Sequence, residues 1–231
     1  MLSSGNRVEL LVKARRPGRY DLVLTPGSSQ RPDIPGMPDT GSAGAASPAK
    51  MGGMPGFPLL GGEMDGRTIM TIEVTGHGPE MRLPAALPAW DPPILPICRR
   101  RHFAFTINEP GGEFMNFGIN GVPYNPQRQP YRAVLGTAEE WTLSNVFDKG
   151  IADHAHVYHI HTNPFKIIRR NGKVLEKPLW RDTYVVTKRD GDSVTFESNF
   201  IDYTGKYVEH CHIVSHEDLG MMSEIEVVRR L

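Results

Sequence analysis

Histidine, cysteine and methionine stand close together near the C-terminus of this 231-residue chain, as His210-Cys211-His212 followed by His216 and Met221. Imidazole, thiolate and thioether donors at such spacing suit a soft metal that changes valence, copper above all. A second group lies upstream, His156-Val157-Tyr158-His159-Ile160-His161, and the two groups take six of the nine histidines. Any one of these histidines alone reads as a surface or hydrogen-bonded core residue; six with a cysteine in two compact motifs read as metal ligands. Structural zinc is disfavoured, because its usual paired cysteines are missing.

Strand parity sorts the candidates into two sets. If residues 209–213 form a strand, Cys211 faces one way while His210 and His212 face the other. Upstream, His159 and His161 share a face, and His156 lies on the opposite one. The first set is then Cys211, His156, His216 and Met221: two imidazoles, a thiolate and a thioether for an axial position. That is the composition of a blue, electron-transfer copper site. The second set is His159, His161, His210 and His212, four imidazoles that suit copper and, less distinctively, zinc or iron. The backbone of Cys211 joins the two faces, a short path for an electron.

The elements that must hold these residues read as β. From Thr68 onward the chain consists of short β-type runs bounded by Gly, Pro, Asn and Asp. They include Phe103, Phe105 and Ile107; Trp141, Leu143 and Val146; residues 157–168; and residues 207–213. This texture predicts an antiparallel sandwich or barrel, with one short helical turn around His216 to Leu219. Val8, Leu10 and Val12, then Arg16-Pro17-Gly18, then Tyr20, Leu22 and Leu24 read as a hairpin, which two strands alone cannot stabilise. Residues 26–66, rich in Gly, Pro, Ser and Ala, read as a linker or insertion. Met37, Met51, Met54 and Met64 within it are thioether donors in a sequence that needs no ligand to exist.

Composition narrows the classes further. Twenty-six basic residues balance twenty-six acidic ones, so no diffuse attraction to nucleic acid or a membrane surface is expected. The triplet Arg99-Arg100-Arg101 reads as a solvated turn before a strand. With 39% hydrophobic residues the chain can bury a sizeable core. If Cys211 is a ligand, Cys98 has no disulfide partner. The sequence shows no export signal and no apolar run approaching the ~18 residues of a membrane span.

The two histidine groups carry a family resemblance. His156-x-x-His159-x-His161-x-Asn163-Pro164-Phe165 and His210-Cys211-His212-x-x-x-His216-x-x-x-Gly220-Met221 resemble the two C-terminal copper signatures of multicopper oxidases such as laccases and bilirubin oxidases. The likeness continues through Ile119-Asn120-Gly121, Gly136 to Trp141 and Trp180-Arg181-Asp182-Thr183. It implies an all-β, Greek-key cupredoxin sandwich over residues 67–231, the last of three such domains. Residues 1–25 are similar to the closing hairpin of the preceding cupredoxin domain, with 26–66 between them. By the resemblance, His156, Cys211, His216 and Met221 would hold type 1 copper, His159 type 2, and His161, His210 and His212 the type 3 pair. Cys211, His210 and His212 would carry the electron transfer, and Glu217 could assist proton delivery.

The resemblance implies oxidation of phenols, aromatic amines or metal ions with dioxygen as acceptor, in a periplasmic or secreted setting. A full trinuclear cluster takes eight histidines, four of them from two His-x-His pairs in the first domain. Those pairs are not in this sequence; His77 and His102 are isolated and His154 adjoins His156. The missing half is expected from N-terminal cupredoxin domains or another subunit. Two other readings stay open: a non-enzymatic blue-copper carrier or copper-binding module, and a symmetric pair of chains apposing their four-histidine faces.

Overall fold

A computed structural model of the chain describes residues 4–9, 12–14, 16–23, 68–76, 78, 82, 85–86, 90–108, 116–147, 155–186 and 191–229. The segment 26–66 with its four methionines, Leu10, Leu24, His77 and His154 lie outside the described residues. The chain divides into two compact units, one formed by Met1 and Glu9–Leu87, the other by Leu2–Val8 and Pro88–Leu231.

In the first unit β1 (Gly18–Val23) pairs antiparallel with β2 (Thr68–Val74), with Tyr20 opposite Ile72 and Leu22 opposite Met70. This corrects the sequence reading, which paired Tyr20, Leu22 and Leu24 with Val8, Leu10 and Val12. Apolar alternation specifies that a strand exists and which side is apolar, but not which other strand it meets. Here the partner is some fifty residues away, and Thr71 donates to the Asp21 carboxylate across the pair at 2.6 Å.

The second unit is a two-layer sandwich. Its strands are β3 (Ile97–Asn108), β4 (Asn116–Ile119), β5 (Tyr131–Val134), β6 (Thr137–Phe147), β7 (His156–Ile160), β8 (Phe165–Arg170), β9 (Lys173–Arg181), β10 (Thr183–Val186), β11 (Ser193–Phe200), β12 (Gly205–Cys211) and β13 (Met222–Val228). One helix, α1 (Val214–Asp218), sits where a helical turn is expected. Six strands run in the order β4-β3-β6-β11-β8-β9 and five in the order β10-β7-β12-β13-β5. Most pairs are antiparallel as expected; β3 with β6 and β13 with β5 are parallel, because the chain crosses between layers before returning.

Alternation builds the core. Phe103, Phe105 and Ile107 of β3, Trp141 and Leu143 of β6 and Phe196 of β11 meet Tyr158 and Ile160 of β7 and Ile225 of β13, all at most 4% exposed. Phe165 and Phe196 stack with centroids 4.5 Å apart, and Trp141 lies 5.0 Å from Phe103. Val146 departs from the predicted apolar face: it is 44% exposed, and Asn145 takes the inward position. Cys98 and Cys211 are both free thiols, as expected.

The arginine triplet is not a solvated turn. It lies inside β3, and the Arg101 side chain, 13% exposed, makes a bidentate pair with Glu139 at 2.5 and 3.0 Å. The buried Glu139 carboxylate also accepts from Trp141 Nε1 at 2.8 Å. Glu139→Ala is therefore expected to cost about 3 kcal/mol, since it leaves a largely buried guanidinium without its carboxylate and a buried indole N–H without its acceptor. Arg100→Ala, at the 69% exposed partner of Glu140, should cost below about 1 kcal/mol. Urea unfolding of the two variants checks the contrast; equal losses would mean the Glu139 pair is not buried.

Candidate metal centre

Strand β12 pairs with β7 so that His210 lies opposite His159 and Cys211 opposite Tyr158. On its other edge β12 pairs with β13, placing Glu209 opposite Ser223. The buried Glu209 carboxylate accepts from Tyr158 Oη at 2.8 Å and Ser223 Oγ at 2.7 Å, tying three strands together. Burial pushes this carboxyl up to about 7, although both hydroxyls favour its charged form.

Inward from β12, Cys211 Sγ lies 3.7 Å from His156 Nδ1 and 3.6 Å from His216 Nδ1, and the two imidazole nitrogens are 3.2 Å apart. His156 comes from the start of β7; His216 is carried back by α1. The loop is closed at its neck, where Cys211 N–H donates to the Met221 carbonyl and Met221 N–H to the His216 carbonyl. Met221 is fully buried beside this neck. Gly220, at φ +109°, permits the return, since a Cβ there would sit 2.9 Å from Pro123 and 3.1 Å from Tyr124 N. Phe105 and Phe117 pack on the rings of His156 and His216, 5.0 and 4.8 Å between centroids. Burial pushes the Cys211 thiol up to about 11.

On the opposite side of β12, His159, His161 and His210 bring ligand atoms within 4.8 Å of one another. His212 joins by ring contact, 5.4 Å from His159 and 5.3 Å from His210, but its nitrogens lie outside that mutual distance. The structure thus brings together His156, Cys211 and His216 of the first set and His159, His161 and His210 of the second, with His212 the loosest member of the second and Met221 joined to the first through its backbone.

Outer hydrogen bonds fix which nitrogen faces inward. His159 Nδ1 meets the Asp182 carbonyl at 2.8 Å, so it carries the proton and leaves Nε2 its lone pair. His210 Nδ1 meets the Glu217 carboxylate at 3.0 Å and leaves Nε2, 3.3 Å from His161 Nε2, as an acceptor. Burial lowers the pKa of both His159 and His210, favouring the neutral ring that metals bind. The Glu217 contact was not specified by the sequence beyond adjacency to His216; helical geometry supplies it.

His161 is aimed by a turn that the sequence reading missed when it ran residues 157–168 as one strand. Asn163 N–H donates to the His161 carbonyl at 2.7 Å across Thr162, whose φ is +67°, a strained setting for a β-branched residue. Asn163 Nδ2 anchors the turn on Tyr207 Oη at 2.7 Å, and β8 then enters the other sheet. The signal was present as Asn163-Pro164. His159, His161, Asn163 and Asp182 line an open cleft of about 370 Å³. His102 is exposed on β3 and does not join either group.

The donor sets fit copper. Converging nitrogen and sulfur lone pairs at 3.2–3.7 Å call for a proton or a cation between them. A cation about 2.0–2.3 Å from each donor spans edges of roughly 3.3–3.8 Å. Two imidazoles with a thiolate, and a nitrogen-only set beside them, match copper preferences.

Known proteins bear the same stamp. A curated multicopper oxidase of Staphylococcus haemolyticus is 33% identical over 142 residues, 58% of this chain and 31% of that protein. A laccase of Bacillus stratosphericus is 27% identical over 113 residues, 41% of this chain and 21% of that one. The chain spans less than a third of the length of these relatives. Among solved structures, a Campylobacter jejuni multicopper oxidase described as a metallo-oxidase aligns with TM-score 0.53 and 26% identity, over 73% of this chain and 37% of its own. The sandwich is thus a cupredoxin fold. The family profile of multicopper oxidases matches residues 93–230, more than half of the chain, and the chain belongs to that family, whose cofactor is copper.

Proposed function

We propose that this chain forms the type 1 copper site and half of the trinuclear site of a multicopper oxidase. The observation that carries this reading is the division at Cys211: its sulfur converges with His156 and His216, while its neighbours His210 and His212 turn to His159 and His161. His156, Cys211 and His216 would hold type 1 copper, with the buried Met221 thioether as a further donor. His159 would serve type 2, and His161, His210 and His212 the type 3 pair. When bound, copper supplies one-electron chemistry linking oxidation of phenols, aromatic amines or low-valent metal ions to reduction of dioxygen to water.

The residues supply placement, exclusion and proton control. Phe105 and Phe117 exclude water from the sulfur-containing site, and the two peptide bonds flanking Cys211 join it directly to His210 and His212. Glu217 holds the His210 Nδ1 proton and is itself only one-third exposed, so it can relay a proton toward the cleft. Of the four imidazoles, those of His159 and His161 line the cleft. The other four histidines of a full cluster would come from N-terminal cupredoxin domains or another subunit, and residues 1–25, which hold β1, would be the end of a preceding domain, supported by the exposed apolar side chains of Tyr20 and Leu22. A periplasmic or secreted setting follows from the family; no helix among the described residues is long and apolar enough to cross a membrane.

Reconstitution tests the reading. The copper-loaded chain should show an intense visible copper–thiolate absorption that Cys211→Ser abolishes, while copper held by the four histidines stays. Absorption that survives the substitution would overturn the assignment. Glu217→Gln should weaken copper at the four-histidine site by roughly 10- to 100-fold, measured by chelator competition, and leave the visible band in place. An unchanged affinity would remove Glu217 from that role.

A further inference from the structure

Residues 4–8 belong to the same compact unit as the sandwich, although some eighty residues of sequence separate them from it. Arg7 explains the attachment. Its guanidinium grips the Asp182 carboxylate with Nη1–Oδ1 at 2.9 Å and Nη2–Oδ2 at 2.6 Å, and the same Nη1 donates to the Gly5 carbonyl at 3.0 Å. One planar group therefore joins two contacts that both end on the histidine cluster.

The first contact ends on His159. The Asp182 carbonyl accepts from His159 Nδ1 at 2.8 Å and from Ile160 N–H at 3.2 Å, and Thr183 Oγ1 bridges the Asp182 carboxylate and the same ring nitrogen at 3.2 and 3.0 Å. Clamping the carboxylate thus clamps the carbonyl and hydroxyl that set the ring. The second contact ends on His212. Gly5, at φ +72°, lies on the face of that imidazole, and a Cβ on Gly5 would stand 2.6 Å from Cδ2 and 2.9 Å from Nε2. No side chain fits there without moving the ring. Asn6 adds a long contact to the Thr183 carbonyl at 3.5 Å.

We propose that this N-terminal strap is part of the metal centre, with Arg7 and Gly5 as positioning residues that fix the rings of His159 and His212. The inference rests on reading the four histidines as a copper site. It assigns a duty to a segment that contributes no ligand: the strap is tethered by an ion pair at its edge, and it orients one ring through Asp182 and covers another with a bare backbone.

The test uses Arg7→Ala, Arg7→Lys, Asp182→Asn and Gly5→Ala in the full chain. In the copper-free protein, histidine ring NMR should show the His159 Nδ1 proton exchanging at least about tenfold faster in Arg7→Ala, and the His212 ring signals shifted in Gly5→Ala. On copper addition, both variants should lose roughly 10- to 100-fold in affinity at the four-histidine site, with the visible copper–thiolate band unchanged. Arg7→Lys should recover only part of the loss, because an ammonium cannot hold both carboxylate oxygens and Gly5. Arg7→Ala combined with Asp182→Asn should be no worse than either alone. Ring signals and affinity equal to the parent in every variant would overturn the proposal. If the parent takes no copper at the four histidines, the reading of the site fails, and the copper-free NMR still decides whether the strap orients the rings. Unchanged circular dichroism and unfolding midpoint exclude misfolding as the cause.

Discussion

The antiparallel pairing of β12 with β7 decides where every candidate ligand points. Side chains alternate with period two, so a slip of one residue would turn Cys211 toward the cleft and bury His210 and His212 in the core. Three features hold the register. β12 is interior to its sheet and bonded on both edges, its lower half packs Tyr207 against the core, and Glu209 ties Tyr158 and Ser223 to itself. A buried carboxyl raised to about 7 costs stability, yet displacing it by one residue would leave the buried Tyr158 hydroxyl, the part-buried Ser223 hydroxyl and the carboxyl without those bonds. Specificity of register is the return on that cost.

Given the register, the two proposed sites differ in how they are enclosed. The sulfur-containing one is closed by the loop from Cys211 to Met221, whose neck is the backbone hydrogen bond between those two residues and which a second bond from Met221 to His216 braces, and aromatic rings line its sides. Its ligands come from the sheet and from a helix one turn long, so both their spacing and their burial are set by the sandwich. The nitrogen-only site is assembled instead from ends: the end of β7, the end of β12 and a turn strained at Thr162. Strain of about 1–3 kcal/mol at such a residue persists only where the surroundings impose it, and here Asn163 on Tyr207 and Phe165 in the core do so.

Parity along two short motifs was enough to sort the candidate side chains into the two groups that the structure brings together, because strand geometry is local and most of these residues lie on or at the ends of strands. The single helical turn near His216 was readable for the same reason. What was not readable depends on contacts distant in sequence. The partner of β1 lies fifty residues away, and the burial of Arg101 depends on Glu139 in a parallel neighbour. The break between β7 and β8 was hidden because His161 to Phe165 sits inside one long β-like run, and only Asn163-Pro164 interrupts it. The pairing of Arg7 with Asp182 spans 175 residues, and although Asp182 lies in a stretch that carries the family likeness, nothing in either local sequence points to the other.

The asymmetry of the four-histidine group carries the last step. His159, His161, His210 and His212 all project from one edge of the sandwich, and the cleft beside them is open, with His161 exposed. An ion held only from that side would keep water on the other, and water is a poorer, freely exchanging partner than four more fixed imidazoles. The sulfur-containing site needs nothing further, since its donors surround one point. The same sandwich edge therefore presents one enclosed donor group and one open group, separated by the width of a single strand. At residues 4–8, backbone remote in sequence is brought to these imidazoles by an ion pair at the rim.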